Sequence, residues 1–206
     1  MTGALAGVVL CGGQSSRMGT DKALLEMEDG GPLLLRVALR LAEVADPVML
    51  ASGSAGRLEA FGYPEVGDEV PGAGPLAGIA AGLAASPHEL TAVVAVDMPL
   101  ASPAVLRLLA SLARGEDAVV PVSSSGLEPL HAVYARTALP RLETALRGDH
   151  LSVREALRGL RVREVRQDEW HPADPSGRFA LNVNRAEDLP ARNVSRGPGD
   201  RRAPSI

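Results

Sequence analysis

The sequence predicts a single α/β domain in which a mostly parallel central sheet carries helices on both faces. Three observations point there. Short continuous apolar runs, Ala92-Val93-Val94-Ala95-Val96 above all, read as strands buried on both sides. Segments with apolar residues at helical spacing alternate with those runs, the order expected of a parallel sheet. At 206 residues the chain suits one substantial domain and falls short of two comfortable ones, and no internal repeat or linker divides it.

In chain order, Val8-Val9-Leu10 is the first strand and breaks at Gly12-Gly13. From Pro32 to Val44, apolar residues at Leu33, Leu34, Val37, Leu41 and Val44 predict a helix, which Asp46-Pro47 ends. Val48-Met49-Leu50-Ala51 is the second strand. Gly74-Pro75 opens a helix, proline being suited to a first turn, with Leu76, Ile79, Ala80 and Leu83 inward and Ser86-Pro87 as the stop. The Ala92–Val96 strand ends on Asp97, and Ser102-Pro103 starts a helix bearing Val105, Leu108, Leu109 and Leu112.

Strands are expected at Ala118–Val122 and from Pro129 to Tyr134, followed by a helix from Ala138 to Arg147. Ser152-Val153-Arg154-Glu155 matches a capping box. Arg161 to Arg166 alternates polar and apolar residues as an edge strand does. Asn184-Arg185-Ala186-Glu187 looks like a late helix start. The Arg, Gly, Pro and Ser content beyond Pro190 predicts a disordered tail, so the domain is drawn as 1–190 and the tail as 191–206.

Composition narrows the function classes. With 46% apolar residues but only 2% aromatics, the core must be built from Ala, Val and Leu. Base-stacking nucleic-acid modules need aromatic platforms and are disfavoured. The net charge of −4 comes from interspersed charges, so neither a nucleic acid polymer nor an anionic membrane is an expected partner. Cys11 is the only cysteine, which precludes an intrachain disulfide and fits a reducing cytoplasm. No apolar stretch is long enough to span a bilayer, and no signal-peptide pattern is visible at the N-terminus. The expected location is cytoplasmic.

The chemistry is concentrated in Val9-Leu10-Cys11-Gly12-Gly13-Gln14-Ser15-Ser16-Arg17-Met18-Gly19-Thr20-Asp21-Lys22. In an open α/β sheet, ligands bind beyond the carboxyl ends of the strands, where this loop begins. Its paired glycines let backbone N–H groups approach a ligand, and Arg17 and Lys22 bring charge for phosphates. Two common phosphate loops do not match. The dinucleotide pattern G-x-G-x-x-G fails because Gly12-Gly13 is followed by no glycine until Gly19, which disfavours a dinucleotide-dependent oxidoreductase. The P-loop fails because Gly19 is followed by Thr20 and Asp21 before Lys22.

The stretch Leu10 to Leu25 resembles the signature L-[AC]-G-G-x-S-x-R-M-G-x-D-K of the molybdenum cofactor guanylyltransferases, the MobA-type enzymes within the wider nucleotidyltransferase group. The resemblance continues, in the family's order, through Gly74-Pro75-Leu76-Ala77-Gly78, Val96-Asp97-Met98-Pro99, Leu130-His131-Ala132-Val133-Tyr134 and Asn182-Val183-Asn184. It implies a Rossmann-like nucleotidyltransferase fold and transfer of GMP from GTP to the terminal phosphate of molybdopterin, with release of pyrophosphate. It also implies protein partners that deliver the cofactor or mature molybdoenzymes.

The same resemblance implies the residue roles. Leu10, Cys11, Gly12 and Gly13 would surround the nucleotide with backbone atoms, and Arg17 and Lys22 would offset phosphate charge. Asp97 matches the family's Mg²⁺-binding aspartate, although a turn or helix-capping aspartate would occupy the same place. Asp68 matches a nucleotide-contacting acid, with Glu69 as the alternative register. Asn182 and Asn184 match an N-x-N element near the acceptor, where Asn184 would also serve as a helix cap. His131 is a candidate acceptor contact or a packed core histidine.

Where many relatives place a nucleotide-contacting asparagine after the second strand, this chain has Ser52-Gly53-Ser54. Ser52 becomes the candidate there, and base selection is the less secure part of the assignment. Two alternatives stay open at this point: a CTP-dependent transferase acting on molybdopterin or another phosphorylated acceptor, and a nucleotide-binding protein without catalysis.

Overall fold

The computed structural model describes residues 4–12, 21–27, 31–53, 56–67, 73–148 and 152–183. The expected helix start at Asn184, the tail beyond Pro190 and the domain limit at 190 lie outside them. In chain order the elements are β1 (Leu5–Leu10), α1 (Leu33–Ala42), β2 (Val48–Ala51), β3 (Glu65–Val66), α2 (Pro75–Ala85), β4 (Leu90–Ala95), α3 (Pro103–Leu112), β5 (Ala118–Ser123), β6 (Gly126–Leu127), β7 (His131–Ala135), α4 (Leu139–Arg147), α5 (Val153–Leu157), β8 (Val162–Val165) and α6 (Gln167–Trp170).

One sheet runs in the order β3-β2-β1-β4-β7-β5-β6, with β8 paired to β5. The pairs β1–β2, β1–β4, β2–β3 and β5–β8 are parallel, as expected. β7 is antiparallel to both β4 and β5. The reason is chain length: only residues 124–130 separate β5 from β7, too few for a helical crossover. β3, β6 and α6 were not anticipated, because elements of two to four residues carry no readable periodicity.

β1 lies inside the sheet between β2 and β4 and is buried along its whole length. Leu5 and Val9 face the layer that holds α1 and α3, while Ala6, Val8 and Leu10 face α2, α4 and α5. Both faces being apolar explains the continuous hydrophobic runs. α1 buries Leu33, Leu34, Val37, Ala38 and Leu41 and turns Leu39 to solvent, as its spacing predicts.

α2 is apolar on nearly every side, and it lies so close to the sheet that a Cβ on Gly82 would fall 2.5 Å from Val8 Cγ2. In α3, Ser102 Oγ accepts the Val105 N–H at 3.4 Å and Pro103 occupies the first turn. Its buried stripe is Val105, Leu106 and Leu109, so Leu108 and Leu112 fall on the flanks rather than in the centre. The expected capping box at Ser152 does not form; its side chain makes no cap bond, and the Glu155 N–H donates to the Ser152 carbonyl instead. Among the described residues, no helix is long and apolar enough to cross a membrane.

A buried carboxylate organises the opposite end of the sheet. Asp117 is fully enclosed and accepts from Arg161, Arg141, Thr137 Oγ1 and the Arg161 N–H. The Arg161 hydrogen bonds hold its carboxyl far below the usual carboxylate range, against the desolvation that would raise it. It staples β5, β8 and α4 and has no part in the cleft described next.

Candidate active site

β1 and β4 run in register from Leu5↔Leu90 to Leu10↔Ala95, so Cys11-Gly12 and Val96-Asp97 leave the sheet side by side. The Val96 N–H donates to the Leu10 carbonyl at 3.1 Å and carries the pairing one residue further. On the other side, the N–H groups of Cys11 and Gly12 both donate to the Ala51 carbonyl, at 2.8 and 2.9 Å. A Cβ on Gly12 would lie 3.3 Å from the Gly53 nitrogen, so the strand ends pack backbone against backbone.

A cleft of about 190 Å³ opens at this rim. Leu10, Cys11 and Gly12 form one wall and Ala95, Val96 and Asp97 another, while Lys22, Pro75 and Leu130 border the remaining sides. Pro75 is the first residue of α2, which follows Gly74 at φ +69°, a conformation that glycine adopts without strain. The N-terminal end of α2 therefore borders the cleft, where its dipole favours negative charge.

The two charged candidates meet in this space. Lys22 opens a short 3-10 turn, Lys22–Leu24, which Asp21 caps by accepting the Ala23 N–H at 3.0 Å. Lys22 Nζ lies 3.7 Å from Asp97 Oδ2, each side chain being 27% exposed. Burial pushes the Asp97 carboxyl above its ordinary value, and the Lys22 ammonium works against that rise. A second cation in the cleft would relieve the same cost.

Asp97 is held by its backbone as well. Its carbonyl accepts the Val183 N–H at 2.7 Å, which ties the Asn182-Val183 segment to the Asp97 turn although 86 positions separate 97 from 183 in the chain. Asn182 itself is exposed. From α1, Arg40 Nη1 donates to the Ala101 carbonyl at 3.3 Å and braces the segment that follows.

The other candidates divide. Gly13, Arg17, Asp68, Glu69 and Asn184 lie outside the described residues. Ser52 is buried at the end of β2, and its side chain hydrogen-bonds Glu65. His131 is fully enclosed: its Nε2 accepts the Ser102 N–H at 3.0 Å, and its ring lies 4.7 Å from that of Phe179. Desolvation pushes the imidazole down to about 4, so it is neutral. Of the two places the sequence leaves open for His131, the structure puts it in the core, beneath the cleft. Cys11 is buried and its thiol is pushed up to about 12 by desolvation, so it contributes backbone and bulk rather than a thiolate.

One residue at this rim carries no mark in the sequence. Arg57 Nη2 donates to the Cys11 carbonyl at 2.7 Å, and its Nη1 pairs with Asp21 Oδ2. Asp21 is visible in the motif, but nothing in the sequence marks Arg57, because its partners are 46 and 36 positions away.

The donor set suits a hard divalent cation held by few protein atoms. Among the described residues, no group of three or more His, Cys, Asp and Glu side chains is placed to hold a metal. Asp97 presents one carboxylate beside the cleft. Magnesium takes one or two carboxylates together with phosphate oxygens and water, so a single aspartate fits that role when a phosphorylated ligand supplies the rest.

Comparison with known proteins places this arrangement. A model of the MobA-like NTP transferase domain matches residues 7–172. A probable molybdenum cofactor guanylyltransferase of Methanosarcina mazei is 37% identical over 195 residues, covering 88% of this chain and 87% of that protein. The molybdenum cofactor guanylyltransferase of Desulfosudis oleivorans is 31% identical over 189 residues, covering 90% and 93%. The crystal structure of molybdopterin-guanine dinucleotide biosynthesis protein A from Archaeoglobus fulgidus superposes with a TM-score of 0.77 at 26% identity, over 89% of this chain and 94% of that one. Motif order, sheet topology and overall similarity agree, and the chain belongs to the MobA-like NTP transferase family of nucleotidyltransferases.

Proposed function

We propose that this protein is a molybdenum cofactor guanylyltransferase: it transfers GMP from GTP to the terminal phosphate of molybdopterin and releases pyrophosphate. The observation that carries this reading is the convergence of Lys22 and Asp97, 3.7 Å apart, on the cleft beside the backbone of Leu10, Cys11 and Gly12. The guanylyltransferase names of the relatives support the choice of base and acceptor.

In this reading an oxygen of the molybdopterin phosphate forms a bond to the α-phosphorus of GTP, and the bond from that phosphorus to the bridging oxygen breaks as pyrophosphate leaves. A phosphate monoester has a second pKa of about 6, so the nucleophile is largely ionised near neutrality and no protein base is required. The protein's task is alignment and charge neutralisation. Lys22 offsets phosphate charge as a compact ammonium, and Arg17 adds a planar guanidinium that pairs with phosphate oxygens. Gly12 and Gly13 present backbone to the nucleotide, with Asp68 as a further contact, while the Ser52 side chain is engaged by Glu65. Asn182 and Asn184 contribute to the acceptor side.

Asp97 would hold Mg²⁺, which supplies charge stabilisation at the phosphates when bound. The Lys22–Asp97 pair then has a direct consequence. Lys22, paired with Asp97 at 3.7 Å, would turn its ammonium to the phosphates if Asp97 held Mg²⁺.

The test is pyrophosphate release by purified protein with GTP, Mg²⁺ and molybdopterin. Asp97→Ala and Lys22→Ala should each lower turnover by roughly 10²–10³-fold, the range for losing one preorganised charge-stabilising group, with folding retained. Unchanged turnover in either variant overturns that residue's role. CTP supporting turnover in place of GTP replaces the guanylyl assignment with a cytidylyl one. Tight GTP binding without turnover points to a non-catalytic nucleotide-binding protein.

A further inference from the structure

We infer that Arg57 is a positioning residue for the nucleotidyl-transfer site: it acts as a strut that holds the Lys22 turn against the tip of β1. The inference builds on the proposed function, because it concerns how Lys22 is aimed. With one guanidinium Arg57 bridges Cys11 and Asp21, both of which line the cleft. Its Nη2 donates to the Cys11 carbonyl at 2.7 Å, and its Nη1 engages Asp21 Oδ2. The other carboxylate oxygen of Asp21 accepts the Ala23 N–H at 3.0 Å and caps the turn that begins with Lys22. A continuous path therefore runs from the β1 backbone through Arg57 and Asp21 to the residue carrying the ammonium.

The strut has its own footing. Arg57 precedes Leu58, whose N–H donates to both carboxylate oxygens of Glu65, at 3.1 and 3.2 Å. Desolvation alone would raise the Glu65 carboxyl. The Ser52 hydrogen bond, the N–H groups of Leu58 and Gly56 and the nearby Arg57 charge together outweigh it, leaving the group below its ordinary value. Glu65 begins β3, which is in register with Leu50 of β2. The residue at the Ser52 position is thereby committed, through Glu65, to supporting the segment that carries Arg57.

The geometry asks for arginine. A guanidinium presents two Nη donors in a fixed fork, so one side chain can satisfy a carbonyl and a carboxylate together, whereas a lysine ammonium is a single point charge. The side chains of Arg57 and Asp21 are 29% and 32% exposed, so their pair adds little to global stability. Its contribution is to geometry, where a displacement of about 1 Å can cost on the order of 10²-fold in rate.

Hydrogen exchange on the full chain tests the strut without reference to any activity. In Arg57→Ala, exchange across residues 21–25 should speed at least several-fold while β1 and β4 keep wild-type protection; unchanged exchange at 21–25 overturns the inference. Steady-state kinetics adds the functional arm. Arg57→Gln and Asp21→Asn should each lower kcat by roughly 10–100-fold with a smaller change in KM for the nucleotide. The double variant should fall no further than the worse single one, and Arg57→Lys should lie between wild type and Arg57→Gln. Additive losses, or a full-rate Arg57→Gln, refute the strut. If wild type transfers no nucleotide at all, the proposed function fails while the exchange result still decides the placement of Lys22 by Arg57.

Discussion

Acidification should weaken this protein through His131 in a way that can be isolated from its other carboxylates and histidines. The imidazole is fully enclosed against Phe179 and accepts the Ser102 N–H on Nε2, which requires that nitrogen to be unprotonated. Among the described side chains, its Nδ1 is the one buried polar atom with no hydrogen-bond partner, and desolvation outweighs the support that its own backbone and the Asp174 charge give the imidazolium. The folded chain takes up this proton only near pH 4, against 6.5 for an ordinary histidine. Between those values the unfolded chain binds more protons, so stability falls as pH falls. The full contribution is present above pH 6.5, declines below it and levels off below pH 4. At 1.36 kcal/mol per pH unit, the loss amounts to about 3 kcal/mol. Urea unfolding of wild type and His131→Asn at several pH values from 7 to 4 gives the measurement. Asparagine keeps an acceptor but does not titrate, so the wild-type advantage should shrink by about 3 kcal/mol across that range. A difference that stays flat with pH would refute a buried neutral His131.

Three further outcomes follow from the fold. Gly82→Val should destabilise by about 1–3 kcal/mol in chemical denaturation, because its Cβ would meet Val8 Cγ2 at 2.5 Å and Cγ1 at 2.9 Å; a neutral result would mean that α2 can back away from β1. Asp117→Asn should cost about 1.5–3 kcal/mol at pH 7, seen as a lower thermal midpoint. Because the folded Asp117 pKa is depressed, its contribution is present above the ordinary carboxylate range and drains away as pH falls from that range down through the depressed folded value, so the two proteins should converge in strong acid. Cys11, pushed up to about 12 and buried, should react with a thiol reagent at pH 8 only as fast as the fold opens, and rapidly in denaturant. Immediate labelling of the folded protein would contradict its placement.

The amino-acid sequence by itself determined the alternation of strands and helices and the burial of β4 on both faces, and the family resemblance it carries singled out Lys22 and Asp97. Those features are local. Hydrophobic period, a proline after glycine or serine, and a motif within one loop are written in neighbouring residues, and hydrophobic burial acts on them wherever the chain goes. Only the tertiary structure decided which distant groups meet. The antiparallel course of β7 follows from a short connection and from the sheet position left beside β4. The interior place of His131 depends on Ser102 and Phe179 closing around it. The Val183 N–H reaching the Asp97 carbonyl and the Arg57 fork between Cys11 and Asp21 are hydrogen bonds across 86 and 36–46 positions of chain. Such bonds have no periodic signature, because their donors and acceptors become neighbours only after the apolar core has brought the strand ends to one rim.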